Sequence, residues 1–338
     1  MTTDHERADF GDAAAEARAA REAVAVFDVS DRSQLEMVGA DRQAFLHNFC
    51  TQDIKGLRVG AGSEAFLCNV KGRLLGHIFV FARAESLWIE SVPGQSEALR
   101  SHLERYHLLE DFVLTDRSQE CGELLVAGPR SVETLAACGA DIAALQNWEH
   151  AAVMLPDVGS DRVWIKRADV LGVPSFWISA SRESCVRLRE RLGQHGAVPA
   201  GRMALHELRI DARLPWYGVD LSDENLAQEA NRTRGAISFA KGCYLGQEPI
   251  ARIHALGHVN KEVTRFVIAG STMPAAGAAL VNPQDPSKEV GRLTSVAWST
   301  SRQQPIGLGI VRTAFAQPGS EVLVAGDNSI TAKVDGAI

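Results

Sequence analysis

Residues 264–269 (TRFVIA), 277–281 (GAALV), 290–298 (VGRLTSVAW), 306–312 (IGLGIVR), 321–325 (EVLVA) and 331–334 (TAKV) follow one another with no helical pattern between them. Each run is short and rich in apolar or β-branched residues, and turn residues fill the gaps. A succession of short strands without a helix predicts a small β-barrel or sandwich, with a boundary near residue 260. Residues 266–284 carry no charge, but Gly270, Pro274, Gly277, Asn282 and Pro283 interrupt them. That segment reads as strand–loop–strand and not as a membrane span.

Upstream the pattern changes. Residues 11–22 (GDAAAEARAARE) are Ala-rich with mixed charges and predict a helix. Apolar runs at 66–70, 78–81 and 87–92 predict strands. Three segments then share one plan, a strand, a turn and an amphipathic helix. In 87–109, Leu99, Leu103 and Tyr106 fall on one helical face. In 123–139, Pro129 suits a first helical turn and Gly139 a stop. In 175–196, Ser181 suits an N-cap and Cys185, Leu188 and Leu192 align. RVWIK (162–166) and SFWIS (175–179) flank LGVP and predict a hairpin. Strand pairs alternating with single helices predict an α+β layout of ferredoxin-like type.

Composition agrees with a folded, multidomain chain. At 338 residues, 46% hydrophobic and 23% charged, it has the length for two or three domains and excludes collagen, coiled coil and bulk disorder. The net charge of −7 argues against general binding of polyanions. Six cysteines, at 50, 68, 121, 138, 185 and 243, form no C-x-x-C pair. A zinc ribbon and a disulfide scaffold lose support, and a reducing, cytoplasmic setting is expected. The polar, acidic start MTTDHERADF lacks the features of a secretory or transit peptide.

No P-loop, Rossmann fingerprint, H-E-x-x-H or nucleophile elbow is present. His254 and His258 lack a third ligand nearby, so they read as solvated or hydrogen-bonding histidines, and no metal is expected. The densest unusual segment is Lys241-Gly-Cys-Tyr-Leu-Gly-Gln-Glu248. Cys243 stands between Gly242 and Gly246, with Lys241 and Arg252 close in sequence. Cations beside a thiol favour its thiolate, and a helix beginning at Gly246 would add to that. The ordinary reading is a turn whose glycines serve packing. In the segment 208–220 (LRIDARLPWYGVD), Asp211 sits among apolar residues and needs a partner. Arg209 or Arg213 would serve, as would a ligand edge with adjacent N–H donors. The run 69–73 (NVKGR) reads as a basic hairpin turn.

Taken together these segments resemble one superfamily. Residues 24–81 are similar to the N-terminal part of the glycine-cleavage T protein, an aminomethyltransferase, and LRIDARLPWYGVDL resembles that superfamily's LRLEAG…YG segment. KGCYLGQE followed by ARIHALGHVNKEV resembles the signature of the YgfZ-type folate-binding proteins. The resemblance implies two ferredoxin-like α/β domains and a C-terminal β-barrel around a central cavity for tetrahydrofolate. The matching regions are 20–120, 121–260 with KGCYLGQE, and 261–338. It further implies Asp211 as the pterin-binding carboxylate, where the pattern has Glu. Asn69, Arg73, Tyr217 and Lys241 complete the expected cofactor-binding set, and Cys243 is the expected functional thiol. Aminomethyltransferases carry an Asp-Asp pair after the glycine turn; here Gly76-His77 stands in its place.

The resemblance thus implies a cytoplasmic, monomeric protein that binds tetrahydrofolate or a derivative. It would support assembly or repair of iron–sulfur clusters in target enzymes, tRNA-modifying ones included, with cluster proteins or assembly factors as partners. Neither nucleic acid nor membrane is expected to bind directly. The alternatives are a folate-dependent one-carbon transferase or demethylase using His77, and a binding module that has lost folate.

Overall fold

The computed structural model describes residues 4–155, 157–159, 161–326 and 330–335. The chain runs α1 (Ala13–Glu22), β1 (Ala25–Asp28), β2 (Ser33–Val38), α2 (Arg42–Phe49), β3 (Gly62–Cys68), β4 (Leu74–Ala82), β5 (Ser86–Ser91), α3 (Ser96–Glu104) and β6 (Val113–Asp116). It continues through β7 (Cys121–Ala127), α4 (Ser131–Ala137), β8 (His150–Met154), β9 (Arg162–Arg167), β10 (Ser175–Ser181), α5 (Arg182–Gln194), β11 (Val198–Ala200), α6 (Arg202–Asp211), α7 (Thr233–Ala236) and α8 (Gln247–Leu256). Six strands end it: β12 (Lys261–Ile268), β13 (Ala279–Asn282), β14 (Asp285–Ser299), β15 (Gln304–Arg312), β16 (Glu321–Val324) and β17 (Ile330–Val334). These elements divide between two compact units. One takes the residues up to Cys68, Leu75–Leu205 and Arg234–Leu245; the other takes Asn69–Leu74, His206–Thr233 and the residues from Gly246 on.

The first unit contains two sheets, ordered β3-β4-β5-β2-β6 and β11-β1-β7-β10-β9-β8. Strand side chains alternate between faces, so each sheet has one face to cover with helices. Leu35, Met37, Ile78, Val80, Leu87 and Ile89 pack against Phe45 and Leu46 of α2 and Leu99 and Leu103 of α3. In the second sheet Val26, Leu124, Val126, Ile165, Phe176 and Ile178 pack against Leu135 of α4 and Cys185, Leu188 and Leu192 of α5. The α5 spacing and its cap match the sequence reading, with the Ser181 hydroxyl accepting from Ser184 N at 3.3 Å. Two local details differ. Helix α3 stops at Glu104, so Tyr106 packs on the core from beyond the helix. Pro129 lies before the Arg130 N-cap of α4 and not in its first turn.

The opposite faces of the same sheets carry charge. Lys166 of β9 donates to Glu90 of β5, to Glu123 of β7 at 2.6 Å and to the Ser179 hydroxyl of β10. All three charged side chains are fully buried. Arg32 approaches the other oxygen of Glu123 at 3.3 Å and lies over the Trp177 ring at 4.5 Å. Arg83 is sandwiched between Trp88 and Trp164, 4.0 Å from each ring centre. Burial pushes the Glu90 carboxyl up, but Lys166 and Arg32 outweigh it and hold the group below its usual range. Burial and the neighbouring Glu90 push Glu123 the other way, up to about 7.

The second unit is built on a closed barrel, β12-β15-β14-β13-β16-β17, which leaves no sheet edge. The closing pair aligns Phe266 of β12 with Val334 of β17. Phe266, Ile268, Leu280, Leu293, Val311, Val322 and Ala332 are among the residues of its core. A shift in register between Leu293 and Ser295 lets the long β14 bend. The fold is therefore α+β, two α/β sheets followed by the six-stranded barrel that the strand-only C-terminus predicts.

Candidate functional site

The expected site residues fall in three places. Asn69, Arg73 and Tyr217 come together in the second unit. Asn69 Oδ1 accepts from the N–H groups of Lys71 and Arg73 at 2.8 and 3.2 Å, which closes the 69–73 turn, and Gly72 takes the left-handed φ of 68° that this turn requires. Arg73 donates to the Glu224 carbonyl, and the Tyr217 hydroxyl lies 3.5 Å from the Leu74 carbonyl. Beside them is an open cleft of about 640 Å³ lined by Arg73, Asp223, Glu224, Glu229 and Lys261 among others. This mixture of cations and carboxylates suits a zwitterionic or polar ligand more than a bare anion.

The same turn explains one glycine of KGCYLGQE. Gly246 caps the N-terminus of α8 at φ 81°, and a Cβ there would stand 2.4 Å from the Asn69 carbonyl oxygen. A Cβ on Gly242 would meet nothing within 4 Å. Gly246→Ala is therefore expected to cost roughly 1–3 kcal/mol in a urea melt, from backbone strain and the clash together, whereas Gly242→Ala should stay within about 0.5 kcal/mol. Equal losses at the two positions would contradict this account.

Asp211 ends α6 and faces guanidinium groups of the barrel and its following turn. Its Oδ1 accepts from Arg265 at 3.0 Å and lies 3.6 Å from Arg302, and both arginines also reach Asp335. Of the two nearer partners read from the sequence, Arg213 also feels the Asp211 charge, whereas Arg209 is engaged elsewhere. Arg209 is fully buried and pairs instead with Asp220 at 2.7 Å, under the Trp216 ring. Arg213 donates to the Asp335 carbonyl. Arg265 and Arg302 are distant in sequence and only the fold brings them to Asp211.

Lys241 and Cys243 belong to the first unit. The Lys241 ammonium donates to the carbonyls of His47, Cys50 (2.8 Å) and Gln52 (2.9 Å). An ammonium has three N–H bonds, and all three are taken at the C-terminal end of α2. Burial lowers the Lys241 pKa. Cys243 is exposed, whereas Cys50, Cys68, Cys138 and Cys185 are buried and Cys121 is intermediate.

One pair had no motif to announce it. His77 Nε2 lies 2.7 Å from Glu64 Oε1, with both side chains almost fully buried and the imidazole packed on Phe66 and Phe79. The signal available was a lone carboxylate in the apolar strand 62–68, opposite the strand that carries His77. At Gly76, a Cβ would come within 2.5 Å of Cδ2 of Leu99, so a larger residue there needs the Leu99 side chain of α3 to shift. Among the described residues, no group of three or more His, Cys, Asp or Glu is placed to hold a metal ion, and no helix is long and apolar enough to cross a membrane.

Two α/β sheets followed by a six-stranded barrel define a class of fold that a solved structure shares. The aminomethyltransferase T of the glycine cleavage system from Bartonella henselae superposes with a TM-score of 0.86, covering 96% of this chain and 88% of that one at 21% identity. The model of the GCVT N-terminal domain matches residues 3–241, and that of the glycine cleavage T-protein C-terminal barrel domain matches residues 261–336. The chain belongs to the glycine cleavage T-protein family. Its relatives include an aminomethyltransferase of Symbiobacterium thermophilum, 28% identical with 91% of this chain and 84% of that protein covered. An aminomethyltransferase of Chloroherpeton thalassium is 25% identical, with 91% and 85% covered.

Proposed function

We propose that the chain binds a tetrahydrofolate-type cofactor and supports assembly or repair of iron–sulfur clusters in target enzymes, as a YgfZ-type member of its family. The observation that carries this reading is Cys243, which is exposed while the other cysteines are wholly or partly shielded, within the segment KGCYLGQE. A thiolate is both a nucleophile and a soft metal ligand, so an accessible cysteine suits work on clusters or on other thiols. Asp211 is the residue assigned to the pterin. It is partly exposed, and the arginines beside it fix its orientation, so a carboxylate oxygen can accept from adjacent N–H donors. A reduced folate, when bound, supplies a carrier for one-carbon units.

A second reading is folate-dependent aminomethyl transfer or demethylation. The names of the relatives favour it over the first, and the Glu64–His77 pair would supply its proton acceptor. Gly76-His77 weighs against it, because neither residue is the acid that the resemblance places there. Ammonia release from an aminomethylated carrier protein with tetrahydrofolate separates the two. We expect none, and turnover would favour the second reading. Deletion of the gene should lower the activity of several cluster enzymes, and Cys243→Ser should fail to restore it. For the cofactor, Asp211→Ala is expected to weaken binding of tetrahydrofolate by about 10- to 150-fold in calorimetry, the cost of a lost charge-assisted hydrogen bond. Unchanged affinity would remove Asp211 from the site.

A further inference from the structure

The second unit also holds a cavity of about 330 Å³ at the C-terminal end of α8, lined by Gln228, Asn231, His254, His258, Glu262 and Thr313 among others. Two of its acceptors have no partner among the described residues. Gln228 gives one amide N–H to the Ile250 carbonyl at 2.6 Å, and its Oε1 is buried with no hydrogen-bond partner. Gln228 is only 9% exposed, so water does not easily make up the loss. Thr313 spends its hydroxyl proton on the Val259 carbonyl at 2.6 Å, and Asn231 donates to the Val263 carbonyl at 3.2 Å. His258 Nδ1 faces the Leu256 carbonyl at 3.2 Å, and a proton on Nδ1 leaves Nε2 as an acceptor in the neutral ring.

Glu262 adds a half-buried carboxylate with no ion-pair partner among the described residues. Burial raises its pKa. A helix C-terminus contributes further negative potential, and no Lys or Arg is among the described lining residues. Gln228 Oε1 and the Glu262 carboxylate are thus acceptors that no cationic side chain among the described lining residues meets. Ile253 and Val259 provide apolar wall between them.

We propose that this cavity binds a small organic cation, an alkylguanidinium or alkylammonium, whose N–H groups meet Glu262, Gln228 Oε1 and the Thr313 hydroxyl. The assignment is independent of folate, and the volume is at the lower end for a small-molecule site. No group of three ligating side chains stands there to hold a metal ion among the described residues.

Calorimetry on the full chain tests it with agmatine as the cation and glutarate as an anion of similar length. Agmatine is expected to bind and glutarate is not. Glu262→Gln, which breaks no ion pair, is expected to weaken agmatine binding about tenfold or more while leaving the melting temperature near that of the parent. A blocked Gly-Arg-Gly peptide distinguishes the source of the cation. Binding of agmatine alone assigns a free small molecule, and binding of both assigns the site to guanidinium groups generally. Agmatine binding no tighter than glutarate, or equal agmatine affinity in Glu262→Gln, would overturn the proposal.

Discussion

Lys166→Met is expected to destabilise the protein by about 3–5 kcal/mol, because it removes the cation shared by two buried carboxylates and leaves Arg32 as the main remaining charge that favours them. Glu90 and Glu123 are fully buried, and Lys166 is the residue that bridges them. The sign of the pH dependence follows from the parent. Glu123 has its folded pKa raised from 4.5 to about 7, so its contribution is fully present below about 4.5 and is lost as the pH rises through 7. Removing the ammonium pushes Glu123 further in that direction and takes from Glu90 the largest of the charges that hold it below its usual range. The variant's deficit is therefore expected to be larger at pH 8 than at pH 5, where the folded state keeps protons that the unfolded chain has begun to release. Urea melts at the two pH values check this. A loss below 1 kcal/mol, or a deficit independent of pH, would show that the network is held by other means.

Iodoacetamide at mildly alkaline pH is expected to modify Cys243 at least about a hundred times faster than Cys68 or Cys185. Exposure gives the reagent access to Cys243 alone among fully exposed thiols. Burial also raises the pKa values of Cys50, Cys68 and Cys138, and that of Cys185 to about 12. Each unit of increase removes nine-tenths of the remaining thiolate. Peptide mapping after a short exposure reads the ratio. Should Cys243 label no faster than Cys68, its assignment as the functional thiol fails.

How much of this was legible depended on whether the determining contact was local. The barrel strands were readable because turn residues and β-branched runs mark each one. Helix α5 was readable because its cap and its apolar stripe lie within its own sequence. Helix α2 was missed because, although Gly39 and Asp41 mark a turn before it, its eight residues bury only Phe45 and Leu46, too short a run for an apolar stripe to recur. The glycines of KGCYLGQE looked equivalent in sequence, yet only Gly246 meets another backbone. Lys241 looked like a thiol-activating or ligand-binding cation, but its ammonium is taken by carbonyls roughly two hundred positions earlier in the chain. Asp211 was recognised as needing a partner, whereas Arg265 and Arg302 could be found only in the fold. Glu64 had no motif, and its importance rests on the strand pairing that sets it against His77.

The parallel pairing of β1 with β11, Ala25 opposite Val198, bears on how the chain is made. β1 stands between β7 and β11 in the finished sheet. A nascent chain leaving the ribosome from its N-terminus exposes residues 25–28 long before residues 121–127 are available as a first neighbour, and longer still before residues 198–200 supply the second. The five-stranded sheet β3-β4-β5-β2-β6 has all its strands once residue 116 has emerged, so its strand pairing can be finished during synthesis. The six-stranded sheet must hold an apolar strand unsatisfied over most of that time. Translation speed between residues 30 and 200 thus becomes a quantity on which the yield of correctly folded protein depends, even though it leaves no trace in the final stability.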